Sequence, residues 1–103
     1  MREIRIRPRA QLDLESIFIH IGLELGTPNS AQATLESLYD AFELIADMPT
    51  LGMSFESDDL ERSYWRKLVK TYWVYYTYDE AYVVIWRVFH TRQDIDTHTL
   101  VEL

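Results

Sequence analysis

The 103-residue sequence contains no cysteine, and only 3 glycines and 3 prolines. Without cysteine there is no disulfide framework and no thiolate chemistry. With so few glycines there is no glycine-rich loop to cradle a phosphate. No apolar run approaches the ~20 residues of a bilayer span; the longest is Ala81 to Trp86. The N-terminus, Met-Arg-Glu-Ile-Arg-Ile-Arg, has no apolar signal core. The expectation is a soluble, cytoplasmic protein with no membrane association. Histidines and carboxylates form no set at metal-ligand spacing, Asp94, Asp96 and His98 being too thin a pattern, so neither a metal nor a cofactor is expected.

Lys and Arg are missing from one half of the chain. Residues 10–61 hold eleven acids and no basic residue. Residues 1–9 hold four Arg and one Glu, and residues 62–92 hold six basic residues against two acids. The formal charge of −7 therefore describes an acidic middle between two basic flanks. A long acidic stretch must face solvent or a cationic partner.

What is present is a globular composition, 48% hydrophobic and 26% charged, which excludes disorder and coiled coil. A single domain over residues 1–103 is expected. Ile4 and Ile6 alternate with Arg5 and Arg7, a short strand with one buried face. Pro8 suits a first helical position. Leu14, Ile17, Ile21 and Leu25 then form a helical stripe, widened by Phe18, with Asp13 near the positive end of the dipole and Gly26 as the cap. Thr27-Pro28 repeats the start signal, and Leu35, Leu38, Phe42 and Ile45 give a second amphipathic helix that ends at Pro49. The short connection predicts an antiparallel helical hairpin.

Residues 53–63 lack periodicity and are expected to form an acidic loop. Beyond them the period becomes two. Trp65–Val69, Tyr72–Tyr78 and Ala81–Phe89 are aromatic and β-branched runs with short connections, which predicts an antiparallel meander. Residues 90–103 are a polar tail with a late Leu100-Val101 pair. The class is α+β in the order β-α-α-β-β-β, with the helices on one face of the sheet. Strict alternation puts Tyr82, Val84, Trp86 and Val88 on one side of the last strand and Val83, Ile85 and Phe89 on the other.

Arg62, Arg66, Lys67 and Lys70 cluster around the first long strand, and Arg87, His90 and Arg92 around the last. In a meander these fall side by side, interleaved with Tyr64, Trp65, Tyr72, Trp73 and Tyr75. Such a patch suits a phosphate, an RNA or an acidic protein segment, or is a solvated strand edge. Ten of the fourteen aromatics lie between residues 64 and 89, more than one helix-covered face needs, which suggests a partner over the rest. His90 is of a residue type suited to acid or base chemistry but has no nucleophile paired with it in the sequence.

The pieces Pro8-Arg9-Ala10, Asp13-Leu14, Ile17, Leu44, Pro49, Leu51-Gly52, Arg66, Tyr72–Tyr76 and Arg87-Val88-Phe89-His90-Thr91-Arg92-Gln93-Asp94 together resemble the RelE/ParE superfamily of bacterial toxins, in its ParE-like branch. The resemblance spans nearly the whole chain and implies the same fold. It implies the toxin of a type II toxin–antitoxin pair, acting by binding DNA gyrase and neutralised by a cognate ParD-like antitoxin. Direct nucleic-acid binding is not expected. The residues expected to contact target or antitoxin are Trp65, Arg66, Lys67, Tyr72, Trp73, Trp86, Arg87, His90 and Arg92.

RelE-like members are instead ribosome-dependent endoribonucleases. Were the chain one, Arg66, Lys67, Lys70, Arg87, His90 and Arg92 would hold and cleave RNA. In one nuclease group an Arg opens the third strand and a His-Tyr pair closes the chain. The gapless match puts Tyr72, His90 and Thr91 at those positions, so one of three is kept, which argues against the nuclease. A non-toxic homologue that keeps only the antitoxin surface is the third alternative.

Overall fold

A computed structural model describes residues 1–56 and 62–93 of the chain. The elements are β1 (Glu3–Ile6), α1 (Pro8–Ile19), a π-helical turn (His20–Glu24), α2 (Pro28–Asp47), a 3₁₀ turn (Pro49–Leu51), β2 (Met53–Phe55), β3 (Tyr64–Val69), β4 (Tyr72–Tyr78) and β5 (Tyr82–His90). The expected tail (94–103), its Leu100-Val101 pair, and residues 57–61 of the expected acidic loop lie outside the described residues.

The sheet order is β1-β5-β4-β3-β2. The last three strands form the expected antiparallel meander, and β1 returns parallel to β5, with Glu3 opposite Tyr82 and Ile6 opposite Ile85. Both helices lie on one face. Leu14 and Ile17 of α1 and Leu38, Phe42 and Ile45 of α2 meet Val74, Tyr76, Val83, Ile85 and Val88 of the sheet in one core. Phe42 is 1% exposed, and its truncation to Ala would cost about 3–5 kcal/mol by cavity formation.

Five local readings differ from the sequence expectation. Met53–Phe55 is a strand, not loop, paired antiparallel to β3; three residues at a sheet edge are too few to show a period. The α-helical ladder of α1 stops at Ile19, and the Leu25 N–H bonds the His20 carbonyl in a five-residue turn. That extra residue rotates the stripe, so Ile21 stays half-buried while Leu25 is 60% exposed. Gly26 is the cap, at φ +68°. Thr27 precedes α2 but its hydroxyl donates to the Ile21 carbonyl rather than capping the helix. Asp13 lies past the first turn of α1, and its carboxylate serves β5 instead of the dipole.

The fifth difference is in β5. Tyr75 opposes Arg87 and Tyr76 opposes Ile85, so Trp86 is the extra residue of a β-bulge. The bulge reverses the alternation. Val83, Ile85 and Val88 face the helices, whereas Val84, Trp86 and Phe89 belong to a second cluster on the other face.

Candidate functional site

The face of the sheet away from the helices carries Tyr64, Tyr75, Trp86 and Phe89, with Phe55, Trp73 and Val84 packed against them. The rings meet edge to face: Phe55 on Tyr75, Tyr64 on Trp86, Tyr75 on Phe89, with centroids 5.5–6.0 Å apart. Arginines lie over them. The Arg66 guanidinium stands 4.3 Å from the Trp73 ring and 5.1 Å from Phe55. Arg7 and Arg62 both lie over Trp86, at 5.0 and 4.5 Å, and Arg87 over Phe89 at 4.3 Å. Each contact combines a quadrupole attraction with burial of the aliphatic stem. Arg66 Nη1 donates to the Tyr75 hydroxyl at 3.4 Å, and its Nε is buried without a partner.

Where β1 ends, β5 continues, and α1 crosses its open side. There Asp13 accepts two bonds from Arg87, at 2.8 and 3.0 Å, and one from the Val88 N–H at 2.9 Å. Both side chains are largely buried, so the pair ties α1 to the bulged part of β5.

The expected site residues divide between the two faces. Arg66, Trp73 and Trp86 share the outer face. Trp65 and Tyr72 pack on the helix-side core, and Lys67 is opposite Val74 of that core. Lys70 holds the β3–β4 turn at φ +56°. Arg87 is engaged by Asp13. Tyr72, His90 and Arg92 meet in a cleft of about 570 Å³ at the open end of α1, with Ser16 and His20. The His90 ring stands edge-on to Tyr72 at 5.3 Å, and its Nδ1 accepts the Arg92 backbone N–H at 3.0 Å. Burial raises the Tyr72 hydroxyl above its ordinary pKa. His20 is paired with Glu24 at 2.6 Å.

Two groups of residues escaped the sequence reading. Arg5, Arg7 and Arg9 line shallow clefts with Val84 and Trp86. Their excess charge was visible, but only the parallel β1–β5 register places them beside Trp86. Leu14, Phe18, Leu35 and Tyr39 line an apolar groove of about 350 Å³ along the outside of the helical hairpin. Phe18 and Tyr39 are respectively 38% and 40% exposed. The widened stripe of α1 signalled Phe18; Tyr39 lies off the stripe of α2. No group of His or acidic residues fit to hold a metal occurs among the described residues. Nor is any described helix long and apolar enough to cross a membrane.

A strand, a helical hairpin and a meander closed by a parallel first strand make up a fold seen in a solved structure. The structure matches a chain of the chromosomal ParDE TA system from P. aeruginosa with a TM-score of 0.70 and 14% identity, covering 87% of this chain and 96% of that one. The family described as "ParE toxin of type II toxin-antitoxin system, parDE" matches residues 4–95, and the chain belongs to that family. Among curated proteins none matches it in sequence.

Proposed function

We propose that this type II toxin acts by binding rather than cleavage, with DNA gyrase as the target, and that a cognate ParD-like antitoxin neutralises it. The observation that carries the binding reading is the state of His90. It is the one residue kept from the nuclease pattern. Its Nδ1 lone pair is occupied by the Arg92 N–H, which leaves the neutral ring's proton on Nε2 and no lone pair for a general base. Of the other nuclease candidates, Arg66 is stacked over Trp73 and Phe55 on the outer face, and Arg87 is tied up by Asp13. Gyrase as the target rests on family membership.

The antitoxin's place in this reading is the hairpin groove, where an amphipathic helix would seat apolar side chains between Phe18 and Tyr39 and set Lys or Arg against the acidic rim. Contact with target or antitoxin through Trp65, Arg66, Lys67, Tyr72, Trp73, Trp86, Arg87, His90 and Arg92 belongs to the same proposal. A supercoiling assay with purified toxin tests it: loss of gyrase activity that added antitoxin reverses is the expected result. Full supercoiling at high toxin excess removes the gyrase target.

One observation favours the endoribonuclease: Tyr72, His90, His20 and Arg92 do share one cleft. Primer extension on translating ribosomes separates the two readings. Cuts that vanish with His90→Ala establish the nuclease, and an uncut message leaves the binding reading in place.

A further inference from the structure

The cations of β1 stand apart from every function considered so far. Arg5, Arg7 and Arg9 project from β1 and the start of α1, and Arg62 approaches from the entrance to β3. All four are exposed. Among the described residues only Arg5 has an acidic partner, Glu3 at 3.7 Å. Arg7 and Arg62 both lie over the indole of Trp86, whose own N–H is satisfied by the Thr77 hydroxyl at 2.9 Å. Beside them runs a shallow cleft of about 470 Å³ floored by Ile6, Pro8, Val84 and Trp86.

We propose that this cleft is a docking site for a short acidic peptide segment of a partner protein, whose carboxylates bond Arg7 and Arg62 while an aliphatic side chain covers Val84. Three features select that occupant. A guanidinium laid on a ring keeps its N–H edge free and pre-oriented, which suits the bidentate geometry of a carboxylate. The floor of Ile6, Pro8, Val84 and Trp86 is apolar, which suits an aliphatic side chain beside the carboxylates. A nucleic acid fits less well. Trp86 is only 8% exposed and offers no ring on which to stack a base.

The site does not depend on gyrase being the target, and its test is separate. Nitrogen-labelled full-length protein is titrated with an end-blocked Glu/Leu peptide, and the three indole N–H resonances are followed. The expected result is a saturable shift of the Trp86 resonance with Trp65 and Trp73 unmoved. Arg7→Gln or Arg62→Gln weakens binding about tenfold, the loss expected of one charge-assisted bond. Lys70→Gln, which removes the same charge elsewhere, leaves binding unchanged. All of these positions are exposed, so retained spectral dispersion checks the fold of each variant. The proposal is overturned by an unmoved Trp86 resonance, by an equal effect of Lys70→Gln, or by tighter binding of a DNA duplex than of the peptide.

Discussion

Asp13 does more than any other polar residue to hold the two halves together. Its carboxylate takes both an arginine fork and a strand N–H from β5. Removing one member of a largely buried pair strands the other charge. Asp13→Ala is therefore expected to lower the unfolding free energy by about 3 kcal/mol in urea denaturation. The double variant Asp13→Ala/Arg87→Met should recover most of that loss, since it leaves no orphaned charge. Tyr76 works at the same scale. Its buried hydroxyl donates to the Pro49 carbonyl at 2.5 Å and accepts from the Gly52 N–H at 3.1 Å. Burial pushes its pKa up to about 12, against an ordinary 10.0. The folded state thus keeps this proton after the unfolded chain has lost it. The stabilisation is complete below pH 10.0 and is lost as the pH rises through about 12. Tyr76→Phe should cost about 1–3 kcal/mol at neutral pH by orphaning two backbone groups. It should also flatten the alkaline fall in stability, leaving the smaller slope that Tyr72 contributes.

At the level of elements, β2 shows what a single close approach decides. Gly52 leads into β2 at ordinary φ, so its role is space rather than conformation. A Cβ there would lie 2.7 Å from the Arg66 carbonyl oxygen and would also strike the Tyr76 hydroxyl. Gly52→Ala is expected to push β2 off β3, costing about 1–3 kcal/mol and speeding amide exchange at Met53–Phe55 while β4 and β5 stay protected. The long elements were legible because each repeats its period enough times. Leu35 to Ile45 wrote out α2, and the aromatic runs wrote out β3, β4 and β5. What escaped were events one residue long. The bulge at Trp86 moves Val88 to the helix side, and the π turn after Ile19 carries Leu25 out of the stripe; neither leaves a mark in a periodic pattern. The site suffered the same way. Adjacent residues on a strand, such as Trp65 and Arg66, were grouped by sequence although the pleat sends them to opposite faces.

On the scale of the whole molecule, the charge is sorted by layer. From Ala10 onward the helical hairpin carries no Lys or Arg, whereas cations ring the outer aromatic face of the sheet. The two sides therefore call for partners of opposite sign. The antitoxin docking proposed for the hairpin should weaken as salt rises, with the change mainly in association rate, because the charges at stake are exposed. Stopped-flow binding across a salt series reads this directly. Phe18→Glu should instead raise the dissociation rate at every salt concentration, by placing a charge in the apolar groove.

The pairing of β1 with β5 has a consequence in time. The arginine-bearing strand is made well before its partner, which begins at Tyr82, so it waits for everything between them to be synthesised. Both the cleft over Trp86 and the Asp13 tie need that same late strand. Until β5 emerges the nascent chain carries neither feature, and both come into being together once it does.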